Sequence, residues 1–404
     1  GNSRAAERAY RRAAELRPWD PAFYVNLVSA LSQQQGRQGE AVAAARSAVA
    51  AEPTFARAHF ALGQALGQAG QGHRREALRR LSRAVSLDPA DPDVAMGLGR
   101  ELQRQGNFQE AVGLLEVAVR ARPSEAVPQE HLGYVLSKLE RLSEAHHWLD
   151  VAAERKPSFT SAAKLIEVLL WLGDEKEARR VASKATGSWG LWRNPLQRPT
   201  TFYRPELLAK AWWSARDAPQ LASVKDYFAS TQLVEELRDE LASVTRRRPG
   251  GWRHQPELIQ EPGTGRWKEW KVKDDRAHPC RRNVFPRTCD VLADLGAWID
   301  VQWAEFSVLE PGAHIRPHTG PTNDRLSLHV CVSTPPGVSI RLGDAADVVE
   351  YRNGTVLFFD DSFEHEVRHA GEHDRAVLLV QFSHLGLLAP ADSVVGGGSR
   401  RAEL

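Results

Sequence analysis

Apolar and polar positions change rhythm once along this chain. Up to about residue 184 they recur with the three-to-four spacing of amphipathic helices, and that half repeats itself. Prolines stand at Pro18, Pro53, Pro89, Pro123 and Pro157, spaced 34 to 36 residues apart. An alanine after an acidic residue keeps nearly the same beat at Ala41, Ala77, Ala111, Ala145 and Ala178, and so do the pairs Leu62-Gly63, Leu98-Gly99 and Leu132-Gly133. Three markers sharing one period predict a stack of helix pairs. Glycine in the first helix and alanine in the second let the two approach closely. Proline closes the second helix, because it lacks the N–H and clashes with the preceding turn. Only a second-helix pattern precedes Pro18, so the first repeat reads as cut.

The period resembles that of the tetratricopeptide repeat. Such arrays stack into a solenoid with a concave surface, which implies either a groove for protein or peptide or a spacer that braces the next domain. Trp148 and Trp171, in the last repeats, read as core or domain contacts rather than ligand platforms.

Helical periodicity stops near Thr186. The segment 187–199 is rich in Gly, Pro and Trp, which is loop punctuation. Helical spacing returns between about Val224 and Val244 and predicts one helix. Beyond it come short alternating or wholly apolar runs, such as Trp303 to Leu309, Leu326 to Val332, Val338 to Leu342, Thr355 to Phe359 and Ala376 to Phe382. Strands of this length between Gly, Pro and Asp clusters predict a β-sandwich or barrel. The expected organisation is therefore α+β in two domains: helical repeats over 1–185, a Trp/Pro-rich junction over 186–223, and a strand-rich domain over 224–404 with its β-barrel core at about 297–385.

Composition narrows the function only a little. The chain has 404 residues and a formal charge of +2, so bulk charge gives no reason to expect nucleic acid as a partner. No apolar run is long enough to span a bilayer. With three cysteines a disulfide framework is excluded, while Cys280 and Cys289 are near enough to close one loop or to remain thiols.

Histidines cluster between His314 and His384. His318 lies in a Pro- and Gly-rich loop and His365 follows 47 residues on, a spacing that two strands of a barrel could bring together at a metal. Neutral imidazole suits iron(II), and oxygen chemistry on iron usually takes two histidines and a carboxylate with open positions opposite. The position for that carboxylate, two residues after His318, is Gly320. Spacing alone leaves two ordinary polar histidines as the plainer reading.

The runs Pro317-His-Thr-Gly-Pro-Thr-Asn323 and Phe359-Asp-Asp-Ser-Phe-Glu-His-Glu-Val367 resemble the two signature blocks of the aspartyl/asparaginyl β-hydroxylases. Similarity extends through Gln197-Arg-Pro199, Gly265-Arg-Trp267 and the Cys280 to Cys289 loop. The resemblance implies a double-stranded β-helix (jelly-roll, cupin-like) oxygenase that uses iron(II), 2-oxoglutarate and dioxygen. It implies that His318 and His365 bind the metal, with Gly320 as the open position where others have an acid. Ser307 and Arg375 would hold the distal carboxylate of 2-oxoglutarate, with His329 near its metal-side carboxylate and Trp267 beside it. Asp361 would orient a metal-bound water or a ligand. Trp270, Lys271 and Arg325 are candidate substrate contacts. The implied substrate carbon is the β-carbon of Asp or Asn in an epidermal-growth-factor-like domain or other peptide, received between repeats and barrel. The resemblance also implies a Cys280–Cys289 disulfide and the lumen of the endoplasmic reticulum, although bacterial relatives are cytoplasmic. The final Arg-Ala-Glu-Leu is faintly similar to a retention signal.

Two positions depart from the family pattern. Ser327 stands where a second arginine contacts the metal-side carboxylate, and Gln381-Phe-Ser-His384 stands where an acid and a Trp-His pair are usual. Arg325 or Arg341 could replace the missing cation. A hydroxylase of another substrate, or a scaffold whose barrel is catalytically impaired, are the competing expectations.

Overall fold

The computed structural model describes residues 2–254, 265–343 and 346–387; the closing tetrapeptide 401–404 lies outside them. The chain divides into two compact units, 1–156 and 157–404.

The first unit is helical throughout, from Asn2–Leu16 to Leu142–Arg155. Its pairing follows the small residues. A Cβ added at Gly63 would stand 2.6 Å from Leu81 Cγ, and one at Gly133 would stand 2.7 Å from Leu149 Cγ. The glycines therefore set how closely the helices of a pair approach. Second helices end at Ala51, Leu87, Ala121 and Arg155, two residues before a proline in each case.

The second unit takes the last helical pair, Phe159–Trp171 and Glu175–Thr186, which the sequence groups with the repeats. Its links to the strand-rich part supply the reason. Trp171 Nε1 donates to Pro317 O at 3.0 Å, and Thr160 Oγ1 donates to Thr200 O at 2.9 Å. The single helix expected over 224–244 is two, Pro219–Tyr227 and Thr231–Arg247, broken at Phe228-Ala-Ser.

Eleven strands are described: β1 Trp212–Trp213, β2 Arg253–His254, β3 Trp267–Lys273, β4 Val301–Leu309, β5 His314–His318, β6 Arg325–Ser333, β7 Val338–Leu342, β8 Val348–Glu350, β9 Val356–Phe359, β10 His365–His369 and β11 Arg375–Ser383. They form two antiparallel sheets, β1-β9-β6-β11-β4-β3-β2 and β5-β10-β7-β8. Among the described residues the sheets do not join edge to edge, so the closed barrel expected over 297–385 is instead a pair of facing sheets. The larger sheet also recruits β1 to β3 from before that span. The junction is part of this unit too. Gln197 bridges to Phe363, Phe202 bridges to Thr322, and Arg198 N donates to Ser362 O at 2.8 Å.

Alternation along each strand separates two faces of the larger sheet. Phe306, Leu328, Leu378, Val380 and Phe382 pack with Leu237 and Leu292 of the helices Thr231–Arg247 and Pro286–Leu295. Each such buried side chain contributes roughly 1.5–3 kcal/mol. Leu309, Cys331 and Val377 point the other way, toward Ile315, Ile340 and Val367 of the smaller sheet. Cys280 and Cys289 are joined by a disulfide with Cα atoms 5.7 Å apart, and Cys331 is a buried free thiol. No described helix is long and apolar enough to cross a membrane.

Candidate active site

β5 and β10 are antiparallel, and His318 and His365 are direct Cα partners. Their ring centroids are 4.2 Å apart at 49°. His318 Nδ1 bonds Arg316 O at 2.8 Å, and His365 Nδ1 bonds Phe363 O at 2.9 Å. A carbonyl can only accept, so each Nδ1 carries the proton and the lone pair is left on Nε2. Metal-ligating histidines are oriented in this way. Burial and then the neighbouring His318 push His365 down to about 3, so the ring is neutral at physiological pH.

Gly320 follows on the same turn. A Cβ there would meet the Asp361 carboxyl, with Cγ and Oδ1 both at 2.7 Å. The glycine therefore makes room for an acid from the loop before β10. Gly320 N donates to Asp361 O at 2.7 Å, which ties the two loops together. Asp361 accepts from Gln381 Nε2, and its enclosure pushes its carboxyl up to about 6 against the pull of Arg325. The neighbouring Asp360 anchors the loop: it accepts from Gln197 Nε2 at 2.8 Å and from Ser362 N at 2.9 Å.

An anion pocket lies on the facing sheet. Arg375 is 1% exposed. Its Nη1 donates to Ser307 Oγ at 3.3 Å, its charge lies 4.6 Å from the Tyr351 ring, and Nε has no hydrogen-bond partner. Among the described residues no carboxylate pairs with it. Trp267 Nε1 donates to the same Ser307 Oγ at 3.0 Å. His329 Nδ1 bonds Tyr351 Oη at 3.0 Å, and burial pushes His329 down and Tyr351 up to about 12. Phe359 spans the gap, with ring centroids 4.8 Å from His329 and 5.9 Å from His365. The sequence singled out Arg375, Ser307, Trp267 and His329 but neither Phe359, read only as part of a strand and a signature block, nor Tyr351, which follows β8 and carries no local signal.

Other expectations shift. Trp270 is buried against Phe285 and Trp252 on the helix-covered face, because the strand alternates and Trp267, Glu269 and Lys271 take the other side. It belongs to the core and not to a substrate groove. Arg341 is held by Glu364 at 3.0 Å and Glu366 at 2.5 Å, so it cannot stand in for the arginine missing at Ser327. Lys271 pairs with Glu305 at 2.5 Å and lies 4.1 Å from the Trp303 ring. Burial and the adjacent Glu269 push the Glu305 carboxyl up, a cluster that no sequence signal announced. Arg325 lines a cavity of about 470 Å³ with Phe202, Thr322 and Asp324.

No group of three metal-holding side chains occurs among the described residues. The paired Nε2 lone pairs fit a divalent cation, and the orphaned Nε of Arg375 fits a carboxylate.

Residues 231–385 match the family model described as aspartyl/asparaginyl beta-hydroxylase, and residues 62–126 match the tetratricopeptide repeat. The mouse aspartyl/asparaginyl beta-hydroxylase is 31% identical over 184 residues, 44% of this chain and 24% of that protein. The ornithine lipid ester-linked acyl 2-hydroxylase of Rhizobium tropici is 38% identical over 80 residues, 20% of this chain and 28% of that protein. The crystal structure of YrrB, a TPR protein with an unusual peptide-binding site, is 20% identical with a TM-score of 0.39, covering 45% of this chain and 92% of that one. The chain thus spans about a quarter of the length of the two hydroxylases. Residues 62–126 are thus similar to tetratricopeptide repeats, and residues 231–385 to the domain of the aspartyl/asparaginyl beta-hydroxylases.

Proposed function

We propose that the second unit is an iron(II)- and 2-oxoglutarate-dependent hydroxylase on a double-stranded β-helix, and that its substrate is an Asp or Asn side chain of a peptide or epidermal-growth-factor-like domain. The observation that carries this is the guanidinium of Arg375, buried beside Ser307 without an acidic partner among the described residues, across Phe359 from two histidines with oriented Nε2 lone pairs. A buried cation needs an anion, and the planar fork of arginine matches a carboxylate.

In this reading His318 and His365 hold the metal. Arg375 and Ser307 bind the distal carboxylate of 2-oxoglutarate, with Trp267 fixing the serine hydroxyl and Tyr351 lining the guanidinium. His329, held neutral by burial, faces the metal-side carboxylate as a hydrogen-bonding group. Asp361 orients water beside Gly320. When bound, iron with 2-oxoglutarate and dioxygen supplies the oxidising power that turns C–H into C–OH and releases succinate and carbon dioxide. The chain's own residues supply orientation and exclusion of water. The repeats of the first unit would bind a peptide.

A different substrate is the second reading, because the Rhizobium tropici relative is named as an ornithine lipid ester-linked acyl 2-hydroxylase.

Iron(II)-dependent succinate production from 2-oxoglutarate tests the activity, and intact-mass analysis of candidate peptides tests the substrate. Activity should be abolished in His365→Ala. Succinate formation that survives this change would refute the ligand assignment, and no succinate from the intact protein would favour an impaired scaffold.

A further inference from the structure

Three side chains on adjacent strands form a row across the larger sheet. Gln381 in β11 is the direct Cα partner of Trp303 in β4 and of Ser327 in β6. Alternation places Gln381 on the same face as Arg375, and Ser327 on the same face as His329, so the row belongs to the site face. Gln381 is 4% exposed, and its amide is spoken for on both ends. Trp303 Nε1 donates to Gln381 Oε1 at 2.9 Å. An indole N–H can only donate. The oxygen of the amide must therefore face Trp303, which turns the NH2 toward Asp361 Oδ2 and, at 3.4 Å, Ser327 Oγ. Asp361 accepts from Gln381, and its carboxyl fills the volume that any Cβ at residue 320 would need.

We propose that Gln381 is a positioning residue. Oriented by Trp303 and assisted by Ser327, it holds Asp361 as a hydrogen-bond acceptor against Gly320, so that the acid absent from the His318 turn is presented from the loop before β10. The inference rests on reading His318 and His365 as metal ligands. It also gives Ser327 a use: in this chain its hydroxyl accepts from the amide that holds Asp361. The chain is a relay of fixed polarity. The donor-only indole sets the amide, and the amide sets which carboxylate oxygen is occupied.

The test uses Mn(II) as the probe, with the dissociation constant read from the electron paramagnetic resonance of the free ion, and the melting temperature of the metal-free protein read alongside. Outer partners of metal sites typically carry about 10–100-fold in affinity. Gln381→Leu should weaken Mn(II) binding by about that factor while the metal-free protein melts within a few degrees of the parent. In an Asp361→Ala background the same change should have no further effect on affinity. Trp303→Phe keeps Gln381 but frees its amide to turn over, and should weaken Mn(II) binding several-fold, which keeps the test open should Gln381→Leu fail to fold. Equal Mn(II) affinity in Gln381→Leu, in Trp303→Phe, or an undiminished Gln381→Leu effect without Asp361 overturns the proposal alone. Mn(II) that does not bind the parent, or binds His365→Ala equally, removes the ligand reading and this inference with it.

Discussion

Arg375→Met separates a ligand-binding cation from a structural one. Methionine keeps much of the length and the apolar stem and removes the charge. The guanidinium is 1% exposed and donates to the Ser307 hydroxyl. Truncating one side of a buried, hydrogen-bonded charge pair costs about 2–5 kcal/mol of binding, which is roughly 30- to 4000-fold in affinity. With 2-oxoglutarate at about 100 times its dissociation constant the parent gains about 2.7 kcal/mol. At roughly 2–4 °C per kcal/mol, the second unit should melt about 5–11 °C higher with ligand than without. A 30-fold weaker variant at the same concentration retains about 0.9 kcal/mol, a rise of about 2–4 °C. The ligand-free comparison is the discriminating one. Removing a buried charge that lacks an internal acid relieves a desolvation cost, so the ligand-free variant should melt no lower than the parent. Calorimetry with and without 2-oxoglutarate, in the presence of Mn(II), reads all four numbers. A ligand-free loss of about 3–5 kcal/mol, as when an internal pair is broken, together with an unchanged response to ligand, would refute the reasoning.

Gly320→Ala drives a Cβ to 2.7 Å from the Asp361 carboxyl. It should cost about 1–3 kcal/mol, and less when Asp361→Ala is present. Additive losses in denaturant titrations would show that the two residues do not share that space. The Glu305 carboxyl is raised by burial and by Glu269, so the folded state holds its proton where the unfolded chain has lost it. Stability should then fall as pH rises from the ordinary carboxyl range toward the raised value. Glu305→Gln should escape that fall, with an advantage over the parent about 1–3 kcal/mol larger at pH 8 than at pH 5, given about 1.4 kcal/mol for each tenfold change in proton affinity and an offset from Lys271. Equal differences at the two values would contradict the assignment. Reducing the Cys280–Cys289 bridge, which closes a loop with a sequence separation of 9, should lower stability of the second unit by about 2–3 kcal/mol, seen as a drop in its melting temperature.

Much of the chain is legible because local physics repeats. The Gly63, Gly99 and Gly133 series needs no neighbour's coordinates to announce a close helix approach, and the leucine contacts bear this out. The strand runs at Val338–Leu342 and Ala376 to Phe382 fall in strands because Gly, Pro and Asp clusters bound short apolar segments. Trp270 misleads because an aromatic at the end of a motif is equally at home on either face, and parity along β3 is set by pairing with β4. The helix pair after Pro157 misleads for a related reason. Its internal pattern is that of a repeat, while its membership is decided by what Trp171 and Thr160 touch.

By itself the sequence determined the helical period, the change to strands, and which side chains are candidates for chemistry, since these depend on residue type and spacing along one chain. Only the tertiary structure decided that His318 meets His365, that Arg375 is buried without an acid, that Arg341 is already committed, and that Gln381 and Ser327 face each other beside Asp361. These are facts of register and burial between segments distant in sequence. A slip of one residue in any strand would turn the same side chains to the opposite face, and no local pattern fixes that choice for polar residues.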